Sequence, residues 1–257
     1  MLELRHLALR VGDLSRSTDF YGRQLGFVSV RENPGRVEFA AEAGGPVLLT
    51  LTGDPGAALA PPDAAGLFHG ALLLPSRAAL GRWLRRTADA GVEFDGFSDH
   101  GVSEAIYLAD PDGNGLEFYA DRPPETWPRR NGEIAMSTLP LDLPALLAEG
   151  ARAPAASPLA GARWGHLHLR VTDLDRSEKF YRDALGLEVT QRSYPGARFL
   201  AADGYHHHLG LNTWGRPRQP RPASSLGLTE AAFARTGSPA EKQLNDPDGI
   251  ALRIAPS

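Results

Sequence analysis

Residues 4–11, Leu-Arg-His-Leu-Ala-Leu-Arg-Val, alternate between apolar and polar positions, the period of a strand with one buried face. Asp13 then stands where a helix N-cap belongs. Leu14, Phe20, Tyr21 and Leu25 follow at roughly helical spacing until Gly26 stops them. Strands over 27–31, 36–40 and 47–52 complete a β-α-β-β-β unit. Residues 67–120 repeat the plan: a strand over 67–74, then a helix capped by Ser76, with Leu80, Trp83 and Leu84 inward and Gly91 at its end. The unit closes on a hairpin over 100–119, turned at Asp110-Pro111-Asp112-Gly113-Asn114, where Pro presets φ and Gly or Asn tolerates positive φ. A hairpin symmetric about Asp112 sets Tyr107 opposite Glu117, so phenol and carboxylate share one face. A Glu in an otherwise apolar strand is costly unless it has a partner.

From residue 164 the first unit returns, displaced by 160 positions without a gap. Arg5-His6-Leu-Ala8-Leu-Arg-Val-Gly-Asp-Leu-Ser-Arg-Ser faces Gly165-His166-Leu-His168-Leu-Arg-Val-Thr-Asp-Leu-Asp-Arg-Ser. Phe20-Tyr21 faces Phe180-Tyr181, and Leu25-Gly26 faces Leu185-Gly186. So long a register marks an internal duplication. The second unit returns damaged. Asp246-Pro-Asp-Gly-Ile-Ala-Leu-Arg253 matches the turn and strand that end in Glu117, but only about 30 residues remain for this fourth unit, so its helix and one strand must be shortened. Leu226 falls about where His69 stood. Between the halves, residues 123–163 are Pro-rich, with one short helix expected over 144–149. The chain therefore divides into a first unit pair at 1–122, a linker at 123–163 and a second unit pair at 164–257, an α+β architecture.

Composition narrows the function. A net charge of −4 offers no polybasic footprint for nucleic acid. No apolar run approaches the ~18 residues of a membrane span, and the first residues lack the basic and apolar regions of a signal peptide, so the expected location is cytoplasmic. The chain contains no cysteine, and any metal must be held by carboxylates and its eight histidines.

The duplication also acts as an internal control. Phe-Tyr, Leu-Gly and the capping Asp survive in both copies and belong to the fold. Glu117 becomes Arg253, and His69 becomes an apolar residue. In the other direction Pro46-Val47-Leu48 becomes His206-His207-His208, three histidines expected in a strand. Two imidazoles and one carboxylate on a rigid sheet form the facial triad that suits Fe(II) and leaves positions open. His69 and Glu117 supply two of the three. The third is His166 or His6, which occupy equivalent strand positions.

These features, with Gly-His-Leu-His-Leu at 165–169, Gly-Tyr-His-His-His-Leu-Gly-Leu-Asn at 204–212 and Tyr-Leu-Ala-Asp-Pro-Asp-Gly-Asn-Gly-Leu-Glu at 107–117, resemble the vicinal oxygen chelate superfamily, which joins glyoxalases, bleomycin resistance proteins and extradiol dioxygenases. Within it the chain is similar to ring-cleaving dioxygenases of the catechol 2,3-dioxygenase type. The resemblance implies four βαβββ modules in two barrel-like domains, the fourth truncated. It also implies Fe(II) as cofactor, with Mn(II) the alternative, and O₂ and a small aromatic diol as substrates. Carried over residue by residue, it makes His166, His69 and Glu117 the metal ligands and His207 the acid–base group. Tyr107 becomes a substrate contact and His100 a second pocket histidine. In the usual arrangement the catalytic residues come from units three and four; here unit two has them. A permuted pairing, two with three and one with four, reconciles this, whereas sequential pairing would make His6 the third ligand. Which of His206, His207 and His208 faces inward stays open, as does homo-oligomerisation. A glyoxalase-like isomerase or lyase and a metal-free binding protein are the competing functions. The first generally needs a carboxylate from both units, and residues 209–213 contain none.

Overall fold

The computed structural model describes residues 1–152 and 154–257. Its strands form two large sheets. The first takes, in spatial order, Lys242–Asn245, Ala251–Pro256, Gly227–Arg235, Leu2–Val11, Leu49–Gly53, Arg36–Ala40 and Val28–Asn33. The second takes Leu139–Pro140, Gly96–Asp99, Ser103–Ala109, Gly115–Asp121, Gly66–Leu73, Arg163–Arg170, Leu209–Asn212, Ala197–Ala201 and Glu188–Gln191. Units one and four thus build one curled sheet, and units two and three the other. Each sheet draws one unit from either side of the 123–163 segment.

Both sheets are assembled by one rule. The opening strands of their two units pair antiparallel, Leu2–Val11 with Gly227–Arg235 and Gly66–Leu73 with Arg163–Arg170. Each opening strand then pairs parallel with the last strand of its own unit. Four βαβββ modules in two half-barrels follow from that rule, with the fourth module cut down. Among the described residues this module has no helix after Gly227–Arg235 and only two further strands, Lys242–Asn245 and Ala251–Pro256. The helix and one strand expected to be shortened are therefore missing, because residues 236–241 span only a turn.

Local signals act as read. Asp13, Ser76 and Asp173 cap their helices by accepting from Arg16, Ala79 and Arg176 N–H groups. The first helix runs over Leu14–Asp19 and widens to a π-type turn over Phe20–Leu25. Trp83 stacks on Phe118 at 3.8 Å and donates to Leu25 O at 3.0 Å, fixing the helix Arg77–Asp89 on its sheet and against unit one. The 123–163 segment is more than a connector. Its helix, Leu143–Arg152, packs on Arg77–Asp89, and Leu139–Pro140 adds an edge to the second sheet. Among the described residues no helix is long and apolar enough to cross a membrane.

The surviving motifs hold the two sheets together. Asp110 is buried; its Oδ1 accepts from the Asp112 and Asn114 N–H groups, and its Oδ2 from Asn114 Nδ2 and the Tyr21 hydroxyl. Asp112 in turn receives Gly12 N–H and the Arg16 guanidinium. The copy repeats this: Tyr181 donates to Asp246, while Thr172 and Arg176 donate to Asp248. The Phe-Tyr pair of one unit is therefore the clasp for the Asp-Pro-Asp-Gly turn of the next, across the two sheets. Asp110→Ala leaves several buried donors without an acceptor and is expected to cost about 3 kcal/mol. Urea unfolding would measure the loss, and an unchanged midpoint would remove the clasp from the account of stability.

Candidate metal centre

The opening strands of units two and three carry the site. In their antiparallel register His168 faces His69 and His166 faces Ala71, whose parallel neighbour is Glu117. On the other side of Glu117, Tyr107 lies directly opposite across the hairpin, as the symmetric turn predicts. Three strands thus bring His69, Glu117 and His166 to one point. The Nε2 atoms of His69 and His166 lie 3.0 and 3.1 Å from the same oxygen, Glu117 Oε2. All three side chains are buried, and their ligand atoms lie within 4.8 Å of one another. His69 Nε2 is buried without an aligned hydrogen bond, and so is His166 Nδ1. Two imidazoles and a carboxylate, converging with a nitrogen to spare, fit a divalent metal of the Fe(II) or Mn(II) kind.

Electrostatics agree with the ligand state. Burial drives the His166 pKa down to about 4 against the raising pull of the Glu117 carboxylate, so its imidazole is neutral. Burial acts to raise Glu117, but His166 and His69 outweigh it and hold its carboxyl well below the usual range. A neutral nitrogen donor and an ionised oxygen donor are the forms that bind metal.

The group lies at the wall of a cavity of about 410 Å³. Phe68, Met136, Tyr194, Phe199 and Trp214 give the cavity apolar walls, and His100, Tyr107, His168 and His207 give it polar groups. His100, in the loop before Ser103–Ala109, donates Nδ1–H to Ser137 O at 2.6 Å, since a carbonyl only accepts. Its Nε2 is then the acceptor for the Tyr107 hydroxyl, also at 2.6 Å. Burial, with Glu117 beside it, holds the Tyr107 pKa well above 10 and keeps the phenol protonated. The His207 ring centroid is 4.0 Å from that of His166. Burial, then the neighbouring histidines, keep the His207 pKa well below 6.5.

The structure gathers all six residues singled out from sequence: His69, Glu117, His166, His207, His100 and Tyr107. His6 is not among them. It lies on the other sheet, with Nε2 2.7 Å from Thr50 Oγ1. The triple histidine is not in a strand. Residues 206–208 form a bend that precedes Leu209–Asn212, so strand alternation does not govern them. His206 and His207 are both buried, with their Nδ1 atoms 2.7 Å apart, and His208 Nδ1 accepts Ala202 N–H at 3.2 Å on the far side. Sequence reasoning missed Asp121, whose carboxylate meets His206 Nε2 at 2.8 Å, although Glu117, Tyr119 and Asp121 share one strand face by simple alternation. Trp127 covers His206, and Trp214 forms cavity wall beside Phe68.

Sheet one holds the same positions refilled. His6 faces Ala232, the neighbour of Arg253, and Ala8 faces Glu230. Glu230, rather than Leu226, is therefore the counterpart of His69, and Arg253 that of Glu117. Their side chains pair with each other, Arg253 Nε lying 3.3 Å from Glu230 Oε1. A guanidinium tied to a carboxylate fills the position that is metal-compatible in sheet two.

Residues 3–118 and 163–237 match the model of the family described as the Glyoxalase/Bleomycin resistance protein/Dioxygenase superfamily. A protein of Bacillus subtilis (strain 168) named catechol-2,3-dioxygenase is 43% identical over 225 residues, covering 86% of this chain and 78% of its own. Rhodococcus globerulus biphenyl-2,3-diol 1,2-dioxygenase 3 is 32% identical over 135 residues, covering 51% of this chain and 70% of its own. Among solved structures, glyoxalase I from Zea mays shares the fold with a TM-score of 0.58 at 17% identity, covering 100% of this chain and 92% of its own.

Proposed function

We infer the activity from one premise: the chain belongs to the Glyoxalase/Bleomycin resistance protein/Dioxygenase superfamily. Within it, we propose that the protein is an extradiol ring-cleaving dioxygenase that opens catechol-type diols with Fe(II) and O₂. The observation that carries this reading is the meeting of His69, Glu117 and His166 on one wall of a ring-sized cavity. The relative named catechol-2,3-dioxygenase supports the reaction class.

His69, His166 and Glu117 would hold the metal, with His207, Tyr107 and His100 around the substrate. Fe(II) bound there would supply one coordination sphere for two adjacent diol oxygens and O₂. The remaining work falls to the protein. Phe68, Phe199 and Trp214 would offer an aromatic ring apolar cavity wall and exclude water. Tyr107 has its own proton engaged by His100 Nε2, so its oxygen is free to accept from a substrate hydroxyl. A proton taken at that oxygen passes along the same bond to His100, whose Nδ1 is anchored on Ser137 O. His207, held neutral by burial, would be the acid–base group at the cavity wall beside His166.

The glyoxalase-like reading meets a specific obstacle. Its second carboxylate would come from the unit-three position matching Glu117, and the register makes that position Gly210, the partner of His168. The His168 ring lies against Gly210 so closely that a Cβ there would overlap it. The metal-free reading leaves His69, Glu117 and His166 as a buried polar group without a purpose.

The test is anaerobic loading with Fe(II), then mixing with O₂ and a panel of substituted catechols. Equimolar O₂ uptake with a yellow ring-opened product is the expected result. Loaded protein that consumes no O₂ with any catechol would refute the proposal.

A further inference from the structure

The cavity has walls without a fixed cation. Among the described residues no lysine or arginine lines it. Its carboxylates are Glu117, which faces His69 and His166, and Asp95, the residue before the strand Gly96–Asp99. Asp95 is exposed, and its N–H donates to Tyr107 O at 2.8 Å, which ties its backbone to the strand that carries Tyr107. Other polar groups of the wall already have partners. His100 gives its two ring nitrogens to Ser137 O and the Tyr107 hydroxyl, and His168 Nε2 meets Asn212 Nδ2 at 3.0 Å. The Thr138 and Tyr194 hydroxyls pair at 2.9 Å. The apolar wall is a chain of rings, with centroids 5.4 Å apart from Phe68 to Trp214, 6.1 Å from Trp214 to Tyr194 and 5.7 Å from Tyr194 to Phe199.

An anionic substituent entering this cavity leaves water without gaining a cation, and it meets a second negative charge at Asp95. An alkyl or aryl substituent gains from the same transfer, because it exchanges water for aromatic surface. We propose that the cavity selects ring diols whose substituent is apolar and uncharged and rejects those that carry a carboxylate, with Asp95 the specificity-determining residue that adds repulsion. The selection rests on the dioxygenase reading, since a diol held at the metal is what brings the substituent into the cavity. Its two contributions respond differently to salt. Asp95 is exposed, so its repulsion is screened as ionic strength rises, whereas the desolvation of a carboxylate inside the cavity is not.

4-Propylcatechol and 4-(carboxymethyl)catechol have side chains of similar size and differ in charge. Calorimetry on protein loaded with Zn(II), which does no redox chemistry and so holds either diol without turnover, reads their Kd values. The expected ratio is about 100-fold in favour of the propyl compound, with the same order in kcat/KM of the Fe(II)-loaded protein. Asp95→Asn should narrow the ratio about threefold and Asp95→Lys about tenfold, and the exposure of Asp95 lets both variants fold. High salt should narrow the wild-type ratio by no more than Asp95→Asn does. Equal affinity for the two diols in the wild type, or a ratio unmoved by Asp95→Lys, would overturn the inference. Full O₂ uptake with both compounds at equal kcat/KM would refute the selection and leave the dioxygenase reading standing. Affinity for neither diol in protein that holds Zn(II) would refute both.

Discussion

Glu117→Gln is expected to fold as the wild type does and to lose Fe(II) affinity by more than about 100-fold, beyond the loss caused by removing an outer-shell partner. The side chain keeps its shape, so the strand Gly115–Asp121 and its pairing with Tyr107 need not change. What disappears is the one negative charge among the proposed ligands, and a neutral amide is a far weaker ligand than a carboxylate. In the metal-free state His166 and His69 also lose the carboxylate they hold ionised, so thermal stability should fall by about 1–3 kcal/mol while the protein stays folded. Equilibrium dialysis under anaerobic conditions, with calorimetry as the folding control, measures both quantities. Wild-type iron content in folded Glu117→Gln would dismiss the proposed site.

The second large effect separates two histidines that the sequence leaves in competition. His166→Ala should lose both metal and turnover to background, because it removes a nitrogen 3.1 Å from Glu117 Oε2. His6→Ala should retain both. His6 contacts Thr50 on the other sheet, and its removal forfeits one hydrogen bond, worth about 1 kcal/mol. Metal content by mass spectrometry and O₂ uptake read the pair side by side. Loss in His6→Ala with retention in His166→Ala would reverse the assignment.

Much of this was legible because the chain contains its own control. A carboxylate in one copy and an arginine in the other isolated Glu117, and the pairing of unit two with unit three followed when that asymmetry was set against the arrangement the family resemblance implies. Tyr107 opposite Glu117 followed from turn symmetry. The failures have physical causes. Glu230 escaped as the counterpart of His69 because the shortened fourth unit offers no ungapped register upstream of its turn; only the ladder, with its irregularities between Leu4 and His6 and between Ala8 and Leu9, reveals the match. The facing of the three histidines could not be read because alternation is a property of strands, and residues 206–208 bend. The Pro-rich segment looked like a connector because sequence shows backbone restriction but not the surface it docks on. Trp127, Met136 and Ser137 reach the site from it.

The pairing rule also sets a timetable for synthesis. The sheet that carries the candidate centre takes its strands from residues 66–212, all of them made before Gly227–Arg235 emerges. The other sheet encloses it in sequence: Leu2, in a strand that precedes all of these, is registered with Arg235. Contacts so distant along the chain are slow to form. A nascent chain can therefore close its chemical half early while Leu2–Val11 waits as an open edge, the kind of surface that recruits other chains. The short fourth unit, with no ligand to contribute, is what ends that wait.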